Sequence, residues 1–577
     1  MIAAPFKPTE QQVTIIGRDG PAFVRACPGA GKTRTMVERA RRALFDPKDR
    51  RGVAFLSFTN AAIDELQTRL ATFGALPTPL FPSYIGTFDR FLWQFIITPF
   101  GVPGCVIQPR LVPDKGKWEI KPSYSNAQGL PLFCFDRQTG LVIPALALDE
   151  GYDTSERNIK AHETMAKRVI DRALKDGQVD FDDVRACVEQ HLSDAAFEAR
   201  IGTALSARFR EVIVDEAQDC NPGDLRIIER LKKAGIPVKV ICDPDQSIYA
   251  FRGGVTVEFQ AFAGSFSADN TLPMTGNFRS TPAICKAISA LRPSDPLGVP
   301  DDAIGELKED VTPVHVVAYP GNSIPASIGT TFRGLVADAN IDLAESVVLA
   351  STWKSGAKAI GQAYVDAKNN MTLNLARAVM DFHFAFALGG LKDALTDLHA
   401  TILWIQGHIS TIGGYHRYIQ GTGLDDGRWR PALLELARSL KYDPAEGEMA
   451  WLLKARAALS PDYVAPTGIN LRLKGTKDLK NALAAAPAKS CSSRTIHSAK
   501  GLEFPAVCVV LTTKTAGKIM DLLEGTANPA IEEEARKIYV SASRAQKLLA
   551  MAVPASQCDR LATHLAKSGA EIIVHKI

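Results

Sequence analysis

A chain of 577 residues exceeds what one hydrophobic core can serve and calls for roughly three to five domains. Its 46% apolar and 23% charged content is that of an ordinary soluble globular protein, and a net charge of +4 permits a nucleic-acid partner without requiring one. Ten scattered cysteines with no C-x-x-C pair argue against a structural zinc or iron–sulfur cluster, and no run of about 18 apolar residues supplies a membrane span.

The N-terminus, Met1-Ile-Ala-Ala-Pro-Phe-Lys-Pro8, lacks a charged segment followed by an apolar core, so no signal peptide is expected and a reducing cytoplasm is the expected compartment. Short apolar runs at 22–26, 53–57, 212–214 and 238–242 alternate with helical patterns such as 34–44. A second set lies at 314–318, 347–350, 507–511 and 548–552. Continuous apolar strands separated by helices predict two α/β domains, each with a parallel sheet covered on both faces. Residues 93–200 and 366–489 break this rhythm. They hold Pro/Gly-rich pieces and amphipathic helices, for example 161–174, 373–386 and 451–459, and read as helical insertions. No fixed-period repeat occurs, and 484–489 is an Ala/Pro-rich linker candidate.

Ala26-Cys-Pro-Gly-Ala-Gly-Lys-Thr33 follows a predicted strand and opens a predicted helix, the context of a P-loop. Pro28, Gly29, Ala30, Gly31 and Arg34 complete the phosphate-cradling segment. The two glycines let backbone N–H groups approach phosphate oxygens, Lys32 reaches the β- and γ-phosphates, and Thr33 suits Mg²⁺. Ala26 stands where the common pattern has its first glycine. Val212-Ile-Val-Asp-Glu-Ala-Gln-Asp219 is an apolar strand ending in carboxylates. Asp215 suits Mg²⁺, held through water, and Glu216 suits the attacking water; an acidic, solvated strand end is the plainer reading.

Val240-Ile-Cys-Asp-Pro-Asp-Gln-Ser-Ile-Tyr-Ala-Phe-Arg-Gly-Gly254 combines a polar strand tip with Tyr249, Phe251 and Arg252. Polar groups at a strand end serve nucleotide hydrolysis, and aromatic faces beside a cation serve a single nucleic-acid strand. One short connection thus joins a phosphate site to a strand site. Arg279 and Arg544 are cations that could meet charge developing in phosphoryl transfer, although each alone reads more readily as a surface charge.

In this order the segments resemble superfamily 1A DNA helicases, the group of UvrD, Rep and PcrA. The resemblance rests on Pro8-Thr-Glu-Gln-Gln12, the P-loop, Leu56-Ser-Phe-Thr-Asn-Ala-Ala-Ile-Asp-Glu65 and Ile85-Gly-Thr-Phe-Asp-Arg-Phe91. It continues through 212–219, 243–254, Asn277-Phe-Arg-Ser280, Thr495-Ile-His-Ser-Ala-Lys-Gly-Leu-Glu-Phe504 and 532–545. It implies two RecA-like motor domains: 1–92 with 201–279, interrupted by 93–200, and 280–365 with 490–577, interrupted by 366–489.

The resemblance also implies roles. Gln11 reads adenine, with Gln12 as the alternative register; Phe278 stacks on the base and Glu503 contacts the ribose. Gln246 senses the γ-phosphate, which Arg279 and Arg544 meet from the second domain. Phe58, Thr59, Asn60, Thr87, Tyr249, Phe251, Arg252, Thr495, His497 and Lys500 contact the strand, though Phe58, Tyr249 and Phe251 also suit plain core packing. ATP and Mg²⁺ are the implied cofactors. The implied activity is ATP-driven translocation along, or unwinding of, single-stranded or partly duplex DNA, 3′ to 5′, in repair, replication or phage defence.

Two departures stand out. Asp89 occupies a position where the family usually has histidine, and a carboxylate there repels a phosphodiester. Ala61 replaces a usual lysine. No nuclease domain is expected after the motor, so cutting would fall to a partner protein. The compact second insertion and the Thr-x-Asp variant also resemble the helicase-like subunit of Gabija anti-phage systems. Asp89, Ala61 and the compact insertion favour the competing expectation of an ATP- and nucleic-acid-gated subunit that controls a partner nuclease and unwinds little by itself. An RNA strand would suit the same aromatic–cation chemistry.

Overall fold

The computed structural model describes residues 7–44, 49–58, 60–71, 80–123, 128–150, 152, 159–248, 256–295, 298–362, 367, 370–388, 391–409, 412, 415, 418–419, 422, 429–483, 492–526 and 529–577. The chain divides into two compact units, one of residues 1–109, 183–361 and 489–577, the other of residues 110–182 and 362–488.

The first unit holds two parallel six-stranded sheets. The strands of one sheet are β1 (Ala22–Ala26), β2 (Gly52–Ser57), β3 (Tyr84–Thr87), β4 (Phe209–Val214), β5 (Val238–Cys242) and β6 (Thr271–Met274). Their spatial order is β6-β1-β5-β4-β2-β3. The strands of the other are β7 (Val314–Tyr319), β8 (Ser346–Ala350), β9 (Ser492–Thr495), β10 (Phe504–Val510), β11 (Ala545–Pro554) and β12 (Ile572–Lys576), in the order β9-β8-β10-β11-β7-β12. Both are α/β sheets of the RecA-like kind.

The sequence explains the layering. β2, β5, β7 and β8 are buried along their whole length, so neither face is polar and helices must cover both. On one face of the first sheet Met36, Val37 and Ala40 of helix Lys32–Leu44 and Leu66 and Leu70 of helix Asn60–Ala71 meet Val24, Val53, Phe55, Ile213 and Ile241. In the second sheet Val316, Val347 and Val509 face helices Ala516–Leu523 and Pro529–Ala542, while Val317, Val348 and Cys508 face helix Ser327–Asp338. Register aligns Ala26 with Met274, Leu56 with Val214 and Ser57 with Thr87, so the strands run out at one common edge where the loops carry function.

Glu211 anchors the first sheet from within. It takes Arg39 Nε at 2.9 Å and Lys239 Nζ at 2.8 Å. Burial alone would raise this carboxyl, but the two cations hold it below its ordinary range.

The second unit is mainly helical. Helices Met371–Leu388, Leu391–Gln406, Arg430–Ser439 and Gly447–Leu459 share a core that includes Val379, Leu398, Leu433, Trp451 and Leu459. Residues 110–182 contribute helix Ile159–Lys175, and short strands packed with Ile120, Leu132, Phe135 and Ile170. Arg137 and Asp180 pair in its interior at 2.8 Å. Among the described residues no helix is long and apolar enough to cross a membrane.

Candidate active site

The P-loop is built by a strand that stops and a helix that starts. Cys27 N–H donates to Met274 O at 2.9 Å just past β1, and helix Lys32–Leu44 begins five residues on. Gly29 and Gly31 between them adopt φ +68° and +74°. A Cβ on Gly29 would stand 2.6 Å from Asn277 Oδ1 and 2.7 Å from Arg279 Cβ, so glycine is required by close approach as well as by conformation. Phe278 N–H donates to Gly29 O at 2.9 Å, and its ring flanks Gly31 while staying 38% exposed. Pro28 and Ala30 are buried, Thr33 is half-buried and Arg34 is exposed.

The two neighbouring glutamines separate in role. Gln12 is buried, closes the cap of helix Glu10–Gly17 with Thr9, and donates from Nε2 to Ala30 O at 3.1 Å. Gln11 is bound at the surface to Thr275, whose N–H reaches its Oε1 at 2.9 Å.

The acidic strand end lies beside this loop. Asp215 is buried, with its N–H on Leu56 O at 2.9 Å. Glu216 takes a left-handed φ of +53°, a strained conformation for a residue with a Cβ that here directs its carboxylate toward Lys32, 3.8 Å away. Burial would lower the Lys32 ammonium, but Glu216, Asp243 and Asp215 outweigh it and hold it above its ordinary range. Burial would likewise raise Glu216, yet Lys32, Lys500, the Gln218 amide and Arg544 keep it ionised.

The next turn joins the two sheets. Gln246 Nε2 donates to Asp243 Oδ2 at 2.9 Å, while its Oε1 accepts from Arg544 Nη2 at 2.6 Å. Tyr539 OH also donates to Asp243 Oδ2, at 3.1 Å. Ser294 Oγ donates to Asp245 Oδ2 at 2.7 Å. Lys500 Nζ pairs with Asp219 and reaches Gln246 O at 3.3 Å, and His497 Nε2 lies 3.2 Å from Ile248 O. Burial pushes the Asp243 carboxyl up to about 6 and lowers Arg544 to about 10. Arg279 is held by Glu503 and by Ser543 O, at 2.8 Å to the latter.

Buried Asp215, Gln246 and Arg544 and half-buried Lys32 and Glu216 thus form one cluster, with Arg279, Phe278 and Glu503 at its rim. Sequence reasoning passed over Gln218, Tyr539 and Ser294. Gln218 donates to Glu216 and accepts from Asp243 N–H at 3.2 Å, tying the acidic strand end to the coupling turn. Its place inside the acidic motif was the available signal.

The expected strand-contact residues are more dispersed. The Phe58 ring is half-buried against Phe88, centroids 5.4 Å apart. Thr87 caps helix Phe88–Leu92, taking Arg90 N–H at 3.3 Å. Thr495 bonds Ser498. Asn60 opens helix Asn60–Ala71. His497 and Lys500 are turned onto the 243–248 segment, and Lys500 is committed to the acidic cluster. Asp89 is paired with Arg185 at 2.6 Å. Thr59, Tyr249, Phe251 and Arg252 lie outside the described residues.

Two RecA-like sheets with a glycine-cradled lysine, an acidic strand end and two arginines define a P-loop α/β protein. The UvrD/REP helicase N-terminal domain matches residues 8–100 and 134–267, and the UvrD-like helicase C-terminal domain matches residues 478–556. YjcD of Bacillus subtilis is 24% identical over 293 residues, 47% of this chain and 36% of that protein. The ATP-dependent DNA helicase PcrA of Staphylococcus aureus is 24% identical over 294 residues, 48% of this chain and 39% of PcrA. The RecBCD enzyme subunit RecB of Mycolicibacterium smegmatis is 28% identical over 207 residues, 33% of this chain and 19% of RecB. The chain therefore spans well under half the length of these relatives. It belongs to the UvrD/Rep/PcrA family of superfamily 1 helicases.

Proposed function

We propose that the chain hydrolyses ATP between its two sheets and uses the cycle to move along single-stranded DNA, 3′ to 5′, opening duplex ahead of it. In this reading 1–92 with 201–279 and 280–365 with 490–577 are the motor domains, and 93–200 and 366–489 their insertions. The observation that carries it is Gln246, held at once by Asp243 of its own turn and by Arg544 immediately before β11 of the second sheet. A group so placed responds to the phosphate and to the second domain together.

The P-loop N–H groups and Lys32 cradle the β- and γ-phosphates. Thr33 and Asp215 offer oxygen ligands of the kind Mg²⁺ takes alongside phosphate and water, and the ion would neutralise charge across the β- and γ-oxygens. Glu216, kept ionised, orients the attacking water. Arg544 and Arg279 meet the charge that develops on the transferred group; Arg279 exchanges the Glu503 carboxylate for a phosphoryl oxygen as it does so. Phe278 offers its open face to adenine, Gln11 its amide, and Glu503 a ribose contact. Phe58, Thr59, Asn60, Thr87, Tyr249, Phe251, Arg252, Thr495, His497 and Lys500 remain the proposed strand-side set. His497 and Lys500 act there through the 243–248 turn.

The test is ATP turnover with and without single-stranded DNA. Lys32→Ala and Glu216→Gln should each abolish DNA-stimulated hydrolysis, and near-normal turnover in either purified variant would sink the assignment. A matched RNA strand in the same assay reads strand preference.

The likeness to RecB, by name a subunit of a larger enzyme, supports a second reading: an ATP- and DNA-gated subunit of a complex with a nuclease. A strand-displacement assay separates the two. Unwinding by the chain alone supports the helicase; ATP turnover without unwinding, rescued by a partner, supports the gate.

A further inference from the structure

The turn that presents Gln246 is gripped at its base by residues to which no role has yet been given. Tyr539, on helix Pro529–Ala542, is among the largest fully buried side chains, and its hydroxyl donates to Asp243 Oδ2 at 3.1 Å. The same oxygen accepts the Gln246 amide at 2.9 Å. The charge of Arg292, which forms an ion pair with the buried carboxylate of Asp301, acts on the same phenol. A carboxylate oxygen can only accept, so the phenol hydrogen is committed to Asp243. Two residues beyond Arg292, Ser294 binds Asp245 twice, through its N–H at 3.1 Å and its Oγ at 2.7 Å.

We propose that Tyr539, set by the Arg292–Asp301 pair and assisted by Ser294, is a positioning residue that latches the 243–246 turn and so aims Gln246 at the phosphate. Asp243 offers one oxygen to two donors from different parts of the chain. Without the phenol, that carboxylate keeps the Asp245 N–H on its Oδ1 at 3.2 Å but loses its tie to helix Pro529–Ala542, so the carboxylate and the Gln246 amide on it can shift together. Glu216 feels the same change through Gln218, whose Oε1 accepts Asp243 N–H at 3.2 Å. The latch therefore touches the water-orienting and the phosphate-sensing groups; its link to the P-loop is the charge of Asp243 on Lys32, which loss of the Tyr539 hydroxyl leaves in place. It should govern turnover and leave nucleotide binding alone.

The proposal rests on ATP hydrolysis as the activity. Tyr539→Phe keeps the ring and removes only the donor. It should lower DNA-stimulated kcat about tenfold, the loss of one hydrogen bond at the reacting centre, with KM for ATP within about twofold of wild type. In a Gln246→Ala background it should cost nothing further, because the two residues act as one unit. Arg292→Met, which leaves the phenol in place but removes the charge that acts on it, should lower kcat in the same direction, and it carries the test if Tyr539→Phe does not fold. Amide hydrogen exchange across 243–248 reads the latch without nucleotide and should speed up about tenfold in Tyr539→Phe. Unchanged kcat, a loss that multiplies with Gln246→Ala, or unchanged exchange overturns the latch. A wild-type chain that turns over no ATP overturns the proposed function instead, and exchange alone then decides the latch.

Discussion

Arg185 holds the carboxylate of Asp89 at 2.6 Å and that of Asp224 at 2.7 Å. Asp89 stands in the segment after β3 where a phosphodiester contact is expected of the family, and its charge would oppose one. The guanidinium removes that objection: Asp89 is half of an internal ion pair, and its partner is fixed by a second, buried carboxylate that also caps helix Pro222–Lys233. Replacing Arg185 with Met should have two separable effects. Leaving Asp224 buried without its cation should cost about 3 kcal/mol, read as a lower urea midpoint. Uncovering Asp89 should weaken single-strand binding, read by fluorescence anisotropy at fixed salt. Adding Asp89→Asn should restore the affinity and leave the stability defect. Unaltered affinity in Arg185→Met would place Asp89 away from the strand.

What the sequence disclosed follows burial. The apolar runs read as strands correspond to β1, β2, β4, β5, β7, β8, β10 and β11, the four inner strands of each sheet. The strands not read are β3, β6, β9 and β12, and all four lie at sheet edges. An edge strand is covered on fewer sides, so its residues need not be apolar: Ser492–Thr495 is nowhere fully buried, and Ile572–Lys576 holds only half-buried and exposed residues. The site divides in the same way. The P-loop and the acidic strand end are local, set by a few consecutive residues. The pairs Arg544–Gln246 and Tyr539–Asp243 span 298 and 296 positions, and only the folded sheets bring them together. Arg185 had no local pattern to mark it.

Gly29→Ala tests whether the cradle needs its close approach. The added Cβ meets φ +68° and Asn277 Oδ1 at 2.6 Å. That oxygen cannot easily yield, because it accepts the N–H groups of Arg279 at 2.7 Å and Ser280 at 3.0 Å. Strain of about 1 kcal/mol from the left-handed backbone adds to the displaced contact. ATP affinity should fall at least about tenfold, measured by equilibrium binding of a fluorescent analogue. Wild-type affinity would mean that the loop and Asn277 separate when nucleotide binds.

Asp243 makes activity and stability move in opposite directions with pH. Burial, the largest influence, raises its carboxyl from 3.8 to about 6 against the pull of Lys32 and the Gln246 amide. In the unfolded chain the group ionises near 3.8, in the folded chain near 6, so the folded state binds the extra proton between them. Its contribution to stability is therefore present at low pH, is lost as pH rises from about 4 to 6, and is flat above; its size is roughly 3 kcal/mol. Turnover runs the other way. The ionised carboxylate accepts from Gln246 and Tyr539 and balances Lys32, and protonation removes that charge. At saturating ATP, kcat should fall as pH drops through about 6, approaching tenfold per unit below it. Asp243→Asn should be slower than wild type above about pH 6 and should lose this acid limb, because its amide does not titrate. An acid limb that persists unaltered in Asp243→Asn would assign it to another group.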